Sequence, residues 1–111
     1  MRALEGWPGC AHAAAAKAGV MSLVRTLAIE WGGQGIRRNT IAPGPIAGTE
    51  GVQRLYEPES KDNIQSRMAG IPLGRLGHIH DIANAAIYLC AQTGNFITGT
   101  ELVVDGGRAR L

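Results

Sequence analysis

Lys17 and Asp105 are the two charged residues whose positions suggest chemistry. Lys17 is the only formally charged residue in the segment AHAAAAKAGV, where a helix is expected to begin. It is either a solvated helix residue or a positioned ammonium group, which would lower the pKa of a neighbouring hydroxyl or water and orient a cofactor. Asp105 ends a short apolar run, where open α/β sheets bind ligands, although a turn-forming role explains the same Asp-Gly-Gly sequence equally well.

The segment Pro43-Gly44-Pro45-Ile46 is a further candidate. Proline cannot donate to a sheet ladder and glycine allows another group to come close, so the segment predicts a strand that ends in a turn. Such a turn lets the backbone itself come close to a ligand. An ordinary strand-ending turn is compatible with the same residues.

Other polar residues carry weaker signals. His78 and His80 alternate as metal ligands can, but no third ligand accompanies them, so solvated histidines at a helix start explain them better and no metal site is predicted. Arg54 and Arg67 could bind a phosphate, because arginine binds phosphate bidentately. The two cysteines form no metal-binding or redox spacing, which favours free thiols in a reducing compartment.

The periodicity predicts a helix over Ala13–Trp31, ended by the glycines at 32 and 33. Its apolar residues recur at i, i+3, i+4, i+7 and i+11; they are Val20, Leu23, Val24, Leu27 and Trp31. Lys17 lies three residues before Val20. This spacing places Lys17 on the apolar side of the helix, near its start.

The rest of the chain predicts short strands that alternate with helices. Strands are expected over Ile36–Ala42 and Glu101–Asp105 and a helix over Ile79–Ala91, with a weaker helix over Lys61–Ala69 after a polar loop. This order indicates an α/β fold with a parallel pair of strands. Arg38 would place a charge inside the first strand, which is costly where the strand is buried.

The composition fits one small globular domain. The chain has 111 residues, of which 45% are hydrophobic and 18% charged, and its net charge is +2. Its basic residues are scattered without interleaved aromatic residues, which argues against a nucleic-acid partner. No apolar run is long enough to span a bilayer, and Lys17 interrupts the alanine run before a signal-peptide core could form.

Several segments resemble the carboxyl-terminal part of the short-chain dehydrogenase/reductase superfamily. They are AKAGV, LAIEWGGQGIRRNTIAPGPI, IPLGRLG, DIANAAIYL and FITGTELVVDGG, in the family's order over Ala11–Gly107. Two details are similar to peroxisomal 2,4-dienoyl-CoA reductases: Ala13 stands where most of the superfamily has a catalytic tyrosine, and the loop after the turn reads PGPIAGTEGVQRL. The resemblance implies that residues 1–111 are a partial, doubly wound Rossmann-like domain, without the amino-terminal half that binds the cofactor pyrophosphate.

The resemblance also implies a nicotinamide site for NADPH. Lys17 would bond the nicotinamide ribose hydroxyls and assist the proton donor. The backbone at Ile46 would meet the carboxamide, in a turn shaped by Pro43 and Gly44. Thr49 would contact the cofactor, although the family's most frequent spacing places this threonine one residue earlier.

The remaining implications concern the substrate and the surroundings of the enzyme. The acyl-CoA substrate would be a conjugated dienoyl thioester, reduced in the course of β-oxidation. Asp105 could take the place of the missing tyrosine, by positioning the substrate or by protonating it through a water. The helix over Ala13–Trp31 resembles one that the family buries in homo-oligomers. The ending Ala109-Arg110-Leu111 resembles a peroxisomal address, with the cytoplasm as the alternative location.

Two alternative readings of the function stay open. In one, the chain is an inactive fragment or an incomplete subunit, because two parallel strands leave an edge that invites association. In the other, it comes from another short-chain reductase, such as a 3-oxoacyl reductase. A tyrosine restored at Ala13 would help that enzyme and would not help a dienoyl-CoA reductase.

Overall fold

A computed structural model of the protein describes residues 9–52 and 68–108. Helix α1 spans Ala11–Gly32, strand β1 Thr40–Pro43, helix α2 Ile79–Cys90 and strand β2 Glu101–Val104, with a 3-10 helix at Gln92–Gly94 before β2. These elements confirm the two predicted strands and the helices predicted over Ala13–Trp31 and Ile79–Ala91. Arg54, Arg67, most of the helix predicted over Lys61–Ala69 and the ending Ala109–Leu111 lie outside the described residues.

Strands β1 and β2 form a two-stranded parallel sheet, as the α/β prediction requires. Their register pairs Thr40 with Glu101 and Pro43 with Val104. Helix α2 lies between them in the chain and contacts both strands. Because the strands are parallel, their carboxyl ends meet at one edge of the sheet, which is where α/β proteins place ligands.

Strand β1 is shorter than predicted, and this changes the environment of Arg38. The strand begins at Thr40 rather than Ile36, so Arg38 lies in the segment before it and is exposed. Its guanidinium carbon lies 4.4 Å from the centroid of the Trp31 ring, in a cation–π contact. The expectation of a charge buried within the strand was therefore wrong.

The buried face of α1 differs from the predicted apolar stripe. Met21 and Ala28 are buried, whereas Val20 and Leu23 are 49% and 55% exposed. The Thr40 hydroxyl donates to the Met21 sulfur at 3.1 Å, which joins the helix to β1. In a helix so rich in alanine, apolar residues occur on several sides, and long-range contacts decide which side is buried.

Side chains hold the amino-terminal end of the sheet. The Arg37 guanidinium donates to carbonyl oxygens at the end of α2 and after it: Leu89 (2.6 Å), Gly94 (2.9 Å), Ile97 (3.2 Å) and Cys90 (3.3 Å). Asn39 also donates to the Ile97 carbonyl, and its side-chain oxygen accepts from the Thr100 N–H at 3.2 Å. These bonds satisfy carbonyls that a helix end would otherwise leave without partners.

No helix within residues 9–52 and 68–108 is long and apolar enough to cross a membrane.

Candidate functional site

A cleft of about 250 Å³ opens at the carboxyl ends of β1 and β2. It is lined by residues from the turn after β1, the segment before α2, the first turns of α2 and the end of β2: Gly44, Pro45, Ile46, Leu73, Arg75, Gly77, Asp81, Asn84, Val104, Asp105 and Gly106. Among the residues predicted to form a site, the cleft brings together Gly44, Ile46 and Asp105.

Gly44 lies where the two strand ends approach each other. Its N–H donates to the Val104 carbonyl at 2.9 Å, which extends the sheet by one bond. A Cβ atom on Gly44 would lie 2.6 Å from Asp105 Cα and 2.8 Å from Asp105 Cβ. The packing of the strand ends therefore accounts for this glycine, in addition to any close approach of a ligand.

Gly77 holds the turn after β1 from the other side. The Gly77 N–H donates to the Pro45 carbonyl and the Ala47 N–H donates to the Gly77 carbonyl, both at 2.9 Å, so Ile46 and Gly77 form a parallel bridge. In this geometry the N–H and C=O of Ile46 itself point away from Gly77. Ile46 is buried, and its N–H has no acceptor among the residues that the structure describes.

The Thr49 hydroxyl has local partners. It donates to the Ile46 carbonyl at 2.8 Å and accepts from the Val52 N–H at 3.4 Å. This is the pattern of an N-cap, and residues 50–52 are helical. Thr49 is not a lining residue of the cleft.

Asp105 both forms a turn and lines the cleft. Its Oδ1 accepts from the Gly107 N–H at 2.8 Å, and the two following glycines have φ values of 67° and 83°. The turn also packs against the segment before α2, because the Leu73 N–H donates to the Gly106 carbonyl at 3.1 Å. The turn-forming role is thus visible in the geometry, while the carboxylate remains next to the cleft.

An ion pair between Arg75 and Asp81 lines the cleft and was not anticipated from the sequence. Arg75 Nη1 lies 3.0 Å from Asp81 Oδ2, and the same oxygen accepts from the His78 N–H at 2.8 Å. The His78 amide, followed by Arg75, holds the pKa of Asp81 below its ordinary value. The spacing of His78 and Asp81, three residues apart before an apolar helix, is the signal that could have indicated this cap.

The two histidines serve the start of α2, as the sequence predicts. His78 is the N-cap, its Nδ1 accepts from the His80 N–H, and the rings stack at 4.9 Å between centroids. Within the described parts of the chain, no group of three or more histidine, cysteine or acidic residues is arranged to hold a metal ion.

Lys17 and Pro43 lie apart from the lining of the cleft. The sequence placed Lys17 on the apolar side of the helix, but the structure shows it exposed on α1. Pro43 is exposed at the end of β1. The polar side chains that line the cleft are therefore those of Arg75, Asp81, Asn84 and Asp105, together with the backbone of the turn after β1.

Comparisons with known proteins identify the family. A family model described as enoyl-(acyl carrier protein) reductase matches residues 1–109. The chain is 46% identical over 112 residues to a probable 2,4-dienoyl-CoA reductase of Bacillus subtilis, covering 97% of this chain and 43% of that protein. It is also 46% identical over 96 residues to the peroxisomal 2,4-dienoyl-CoA reductase of Pongo abelii, covering 86% of this chain and 32% of that protein.

Solved structures of similar fold support the same family. A short chain dehydrogenase from Bacillus anthracis is 43% identical with a TM-score of 0.80, covering 96% of this chain and 40% of the other. A putative 2-deoxy-d-gluconate 3-dehydrogenase from Agrobacterium tumefaciens with bound NADP is 38% identical with a TM-score of 0.84, covering 96% and 42%. The chain thus spans less than half the length of these relatives. It belongs to the short-chain dehydrogenase/reductase family.

Proposed function

We propose that this chain is the part of an NADPH-dependent 2,4-dienoyl-CoA reductase that contributes the carboxyl-terminal side of the nicotinamide site. The observation that carries the proposal is the 46% identity to the dienoyl-CoA reductases of Bacillus subtilis and Pongo abelii, over 97% and 86% of this chain. The activity belongs to a complete domain, since the chain spans 43% and 32% of these two proteins.

The cleft fits one end of a dinucleotide. Its volume of about 250 Å³ is below the roughly 300–1,000 Å³ of pockets that enclose whole ligands, so it suits the nicotinamide end only. The N–H of Ile46, which has no acceptor among the described residues, is a suitable donor to the carboxamide oxygen. Pro43 and Gly44 shape this turn, and Thr49 supports it through the Ile46 carbonyl. Bound NADPH would supply the hydride.

Two side chains of this chain would serve the proton transfer. The Lys17 ammonium would bond the nicotinamide ribose hydroxyls and lower the pKa of a water that protonates the dienolate left by reduction of the conjugated thioester. Asp105, whose Oδ1 already accepts from Gly107, would orient that water from the cleft. The proposed product is a 3-enoyl-CoA. The curated names of the relatives differ here, since the Bacillus subtilis protein is named as (2E)-enoyl-CoA-producing and the Pongo abelii protein as (3E)-enoyl-CoA-producing.

The test uses a joined protein, a chimera in which the upstream part of the Pongo abelii relative, named as (3E)-enoyl-CoA-producing, precedes residues 1–111. We expect it to consume NADPH with a 2,4-dienoyl-CoA and to yield a 3-enoyl-CoA, identified by chromatography. Lys17→Met should lower kcat/KM by about 100-fold, while Arg25→Met, which removes an exposed charge from the same helix, should leave it unchanged. Equal activity of Lys17→Met and the parent protein would contradict the role of Lys17.

The same joined protein distinguishes a dienoyl-CoA reductase from a 3-oxoacyl reductase. Ala13→Tyr should leave dienoyl-CoA reduction no faster, because the proposed proton donor is a water. A gain in 3-oxoacyl-CoA reduction on this substitution, with no dienoyl-CoA reduction in the parent, would assign the chain to the other class of reductase. Activity with neither substrate would favour the inactive-fragment alternative.

We also propose a peroxisomal location and a homo-oligomer for the complete protein. Relatives from Pongo abelii and Saccharomyces cerevisiae are named peroxisomal, and the ending Ala109-Arg110-Leu111 suits a receptor-read address. A fluorescent fusion ending in these residues should enter peroxisomes, and removal of the three residues should leave it in the cytoplasm. Light scattering of the joined protein measures its oligomeric state.

A further inference from the structure

We propose that Asp81 is a positioning residue for the nicotinamide end of the cofactor, acting through Gly77 on the backbone of Ile46. Asp81 lies at the third position of α2 and lines the cleft, but the contacts that give it this role are to the segment before the helix. The kinetic consequence of this inference rests on the proposed function, whereas its structural consequence does not.

The turn after β1 depends on neighbours to keep its shape. Pro43 and Pro45 have no N–H, so they cannot donate to a ladder. Gly44 donates to Val104, and Gly77 supplies the other two bonds, one to the Pro45 carbonyl and one from the Ala47 N–H. The backbone of Ile46 is thus held between two bonds that share Gly77 as partner.

Asp81 fixes the position of Gly77. One carboxylate oxygen accepts from the N–H of His78, the residue directly after Gly77, and from Arg75, two residues before it. A Cβ atom on Gly77 would lie 2.6 Å from Ile46 Cδ1 and 3.8 Å from this same oxygen. Both Ile46 and Asp81 therefore lie close to Gly77 in space. The Asp81 carboxylate therefore sets the path of residues 75–78 against the turn.

The structural test compares one bridging side chain at each end of the sheet. Amide hydrogen exchange is measured by NMR in the 111-residue chain and in the joined protein for Asp81→Ala, Asp81→Asn and Asn39→Ala. Asp81→Ala should speed exchange of the Ala47 and Gly77 amides by about fivefold or more. Asp81→Asn should have a smaller effect, because its amide oxygen can still cap His78. Asn39→Ala, which removes the acceptor of the Thr100 amide, should speed exchange there and not at Ala47.

The kinetic test separates positioning from general stability. In the joined protein, Asp81→Ala should raise KM for NADPH by about fivefold and change kcat by less than about twofold, with Asp81→Asn between it and the parent. Asn39→Ala should leave KM unchanged. An unchanged KM in Asp81→Ala, or an equal rise in Asn39→Ala, overturns the proposal. If the parent reduces no dienoyl-CoA, the proposed function fails, and the exchange rates still decide whether Asp81 fixes the turn.

Discussion

The two ends of the parallel sheet are held by different kinds of groups. At the amino-terminal end, the side chains of Arg37 and Asn39 reach across to carbonyls and an amide around the end of α2 and the start of β2. At the carboxyl end, most bonds join backbone to backbone, and glycines lie where the segments come closest: Gly44 against Asp105 and Gly77 against Ile46.

This difference indicates that the amino-terminal end of the sheet anchors α2, whereas the carboxyl end forms the candidate site. A guanidinium that donates to four carbonyls ties the helix end to the sheet, beside a cavity of about 470 Å³ at the edge opposite the one where α/β proteins place ligands. Backbone bonds between glycine-containing segments bring chain ends together without occupying the space above them, and here a cleft remains. We therefore expect substitutions at the carboxyl end to change activity and those at the amino-terminal end to change stability alone.

The largest expected effect is on catalysis, from Asp105→Asn. Asparagine keeps an oxygen that can accept from the Gly107 N–H, so the turn should be retained and the variant should still unfold cooperatively in urea. Loss of the carboxylate should lower kcat of the joined protein by about 100-fold. Steady-state kinetics and urea unfolding measure the two quantities on the same sample. A variant as active as the parent would leave Asp105 with the turn-forming role alone.

Gly44→Ala should have the largest effect on stability at the carboxyl end. The new methyl group would lie 2.6 Å from Asp105 Cα, and backbone must move to accommodate it, at a cost of about 2 kcal/mol. The control is Gly33→Ala, because Gly33 has a helical φ of −64° and no heavy atom within 4 Å of the added Cβ. Urea unfolding should separate the two variants. Equal midpoints would contradict the close packing of the strand ends.

Arg37→Gln should sharpen the comparison at the other end. Removal of the guanidinium leaves the carbonyls of Leu89, Gly94 and Ile97 without this donor. This loss should lower the free energy of unfolding by about 1.5 kcal/mol. KM for NADPH in the joined protein should not change. Arg38→Gln is the matched control, since Arg38 is exposed and its side chain makes a cation–π contact with Trp31 in place of bonds to helix carbonyls. A raised KM in Arg37→Gln would mean that the two ends are coupled.

The smallest expected effect is the pH dependence that Asp81 contributes. The pKa of Asp81 is lowered in the folded chain, chiefly by the His78 amide and then by Arg75, so its contribution to stability is fully present above the pKa of the unfolded chain. That contribution is lost as the pH falls below about 4 and through the lowered pKa. The difference in Tm between the parent and Asp81→Asn should therefore shrink from pH 5 to pH 2.5. A constant difference would contradict the lowered pKa.

Local sequence signals were sufficient to predict the helices and strands but not which face of each is buried. Glycines 32 and 33 lie where α1 ends, although the left-handed φ that follows the helix is at Gly35, at 77°. The Pro-Gly-Pro segment indicates the end of β1, because proline acts on its own backbone. The prediction of the inward side of α1 was wrong at Val20 and Leu23, which are about half exposed. The prediction that Arg38 lies inside a strand was also wrong. Both depend on contacts between separate elements, such as that of Met21 on α1 with Thr40 on β1.

The site shows the same division. Gly44, Ile46 and Asp105 could be selected from the sequence, because strand ends followed by turn residues mark the ligand edge of a parallel sheet. The roles of Arg75, Gly77 and Asp81 could not, since they follow from a bridge between residues 46 and 77. Lys17, selected from its position in the alanine run, and Thr49, selected through the family resemblance, remain predictions for the complete domain.

By itself, the sequence determined the type and order of the helices and strands, the turns at the strand ends and the family, because these depend on residues close together in the chain. Only the tertiary structure decided that Gly44 meets Asp105, that Gly77 holds the backbone around Ile46, and that Arg75 and Asp81 line the cleft. The physical reason is that such contacts depend on the register and packing of distant segments, which no local pattern specifies.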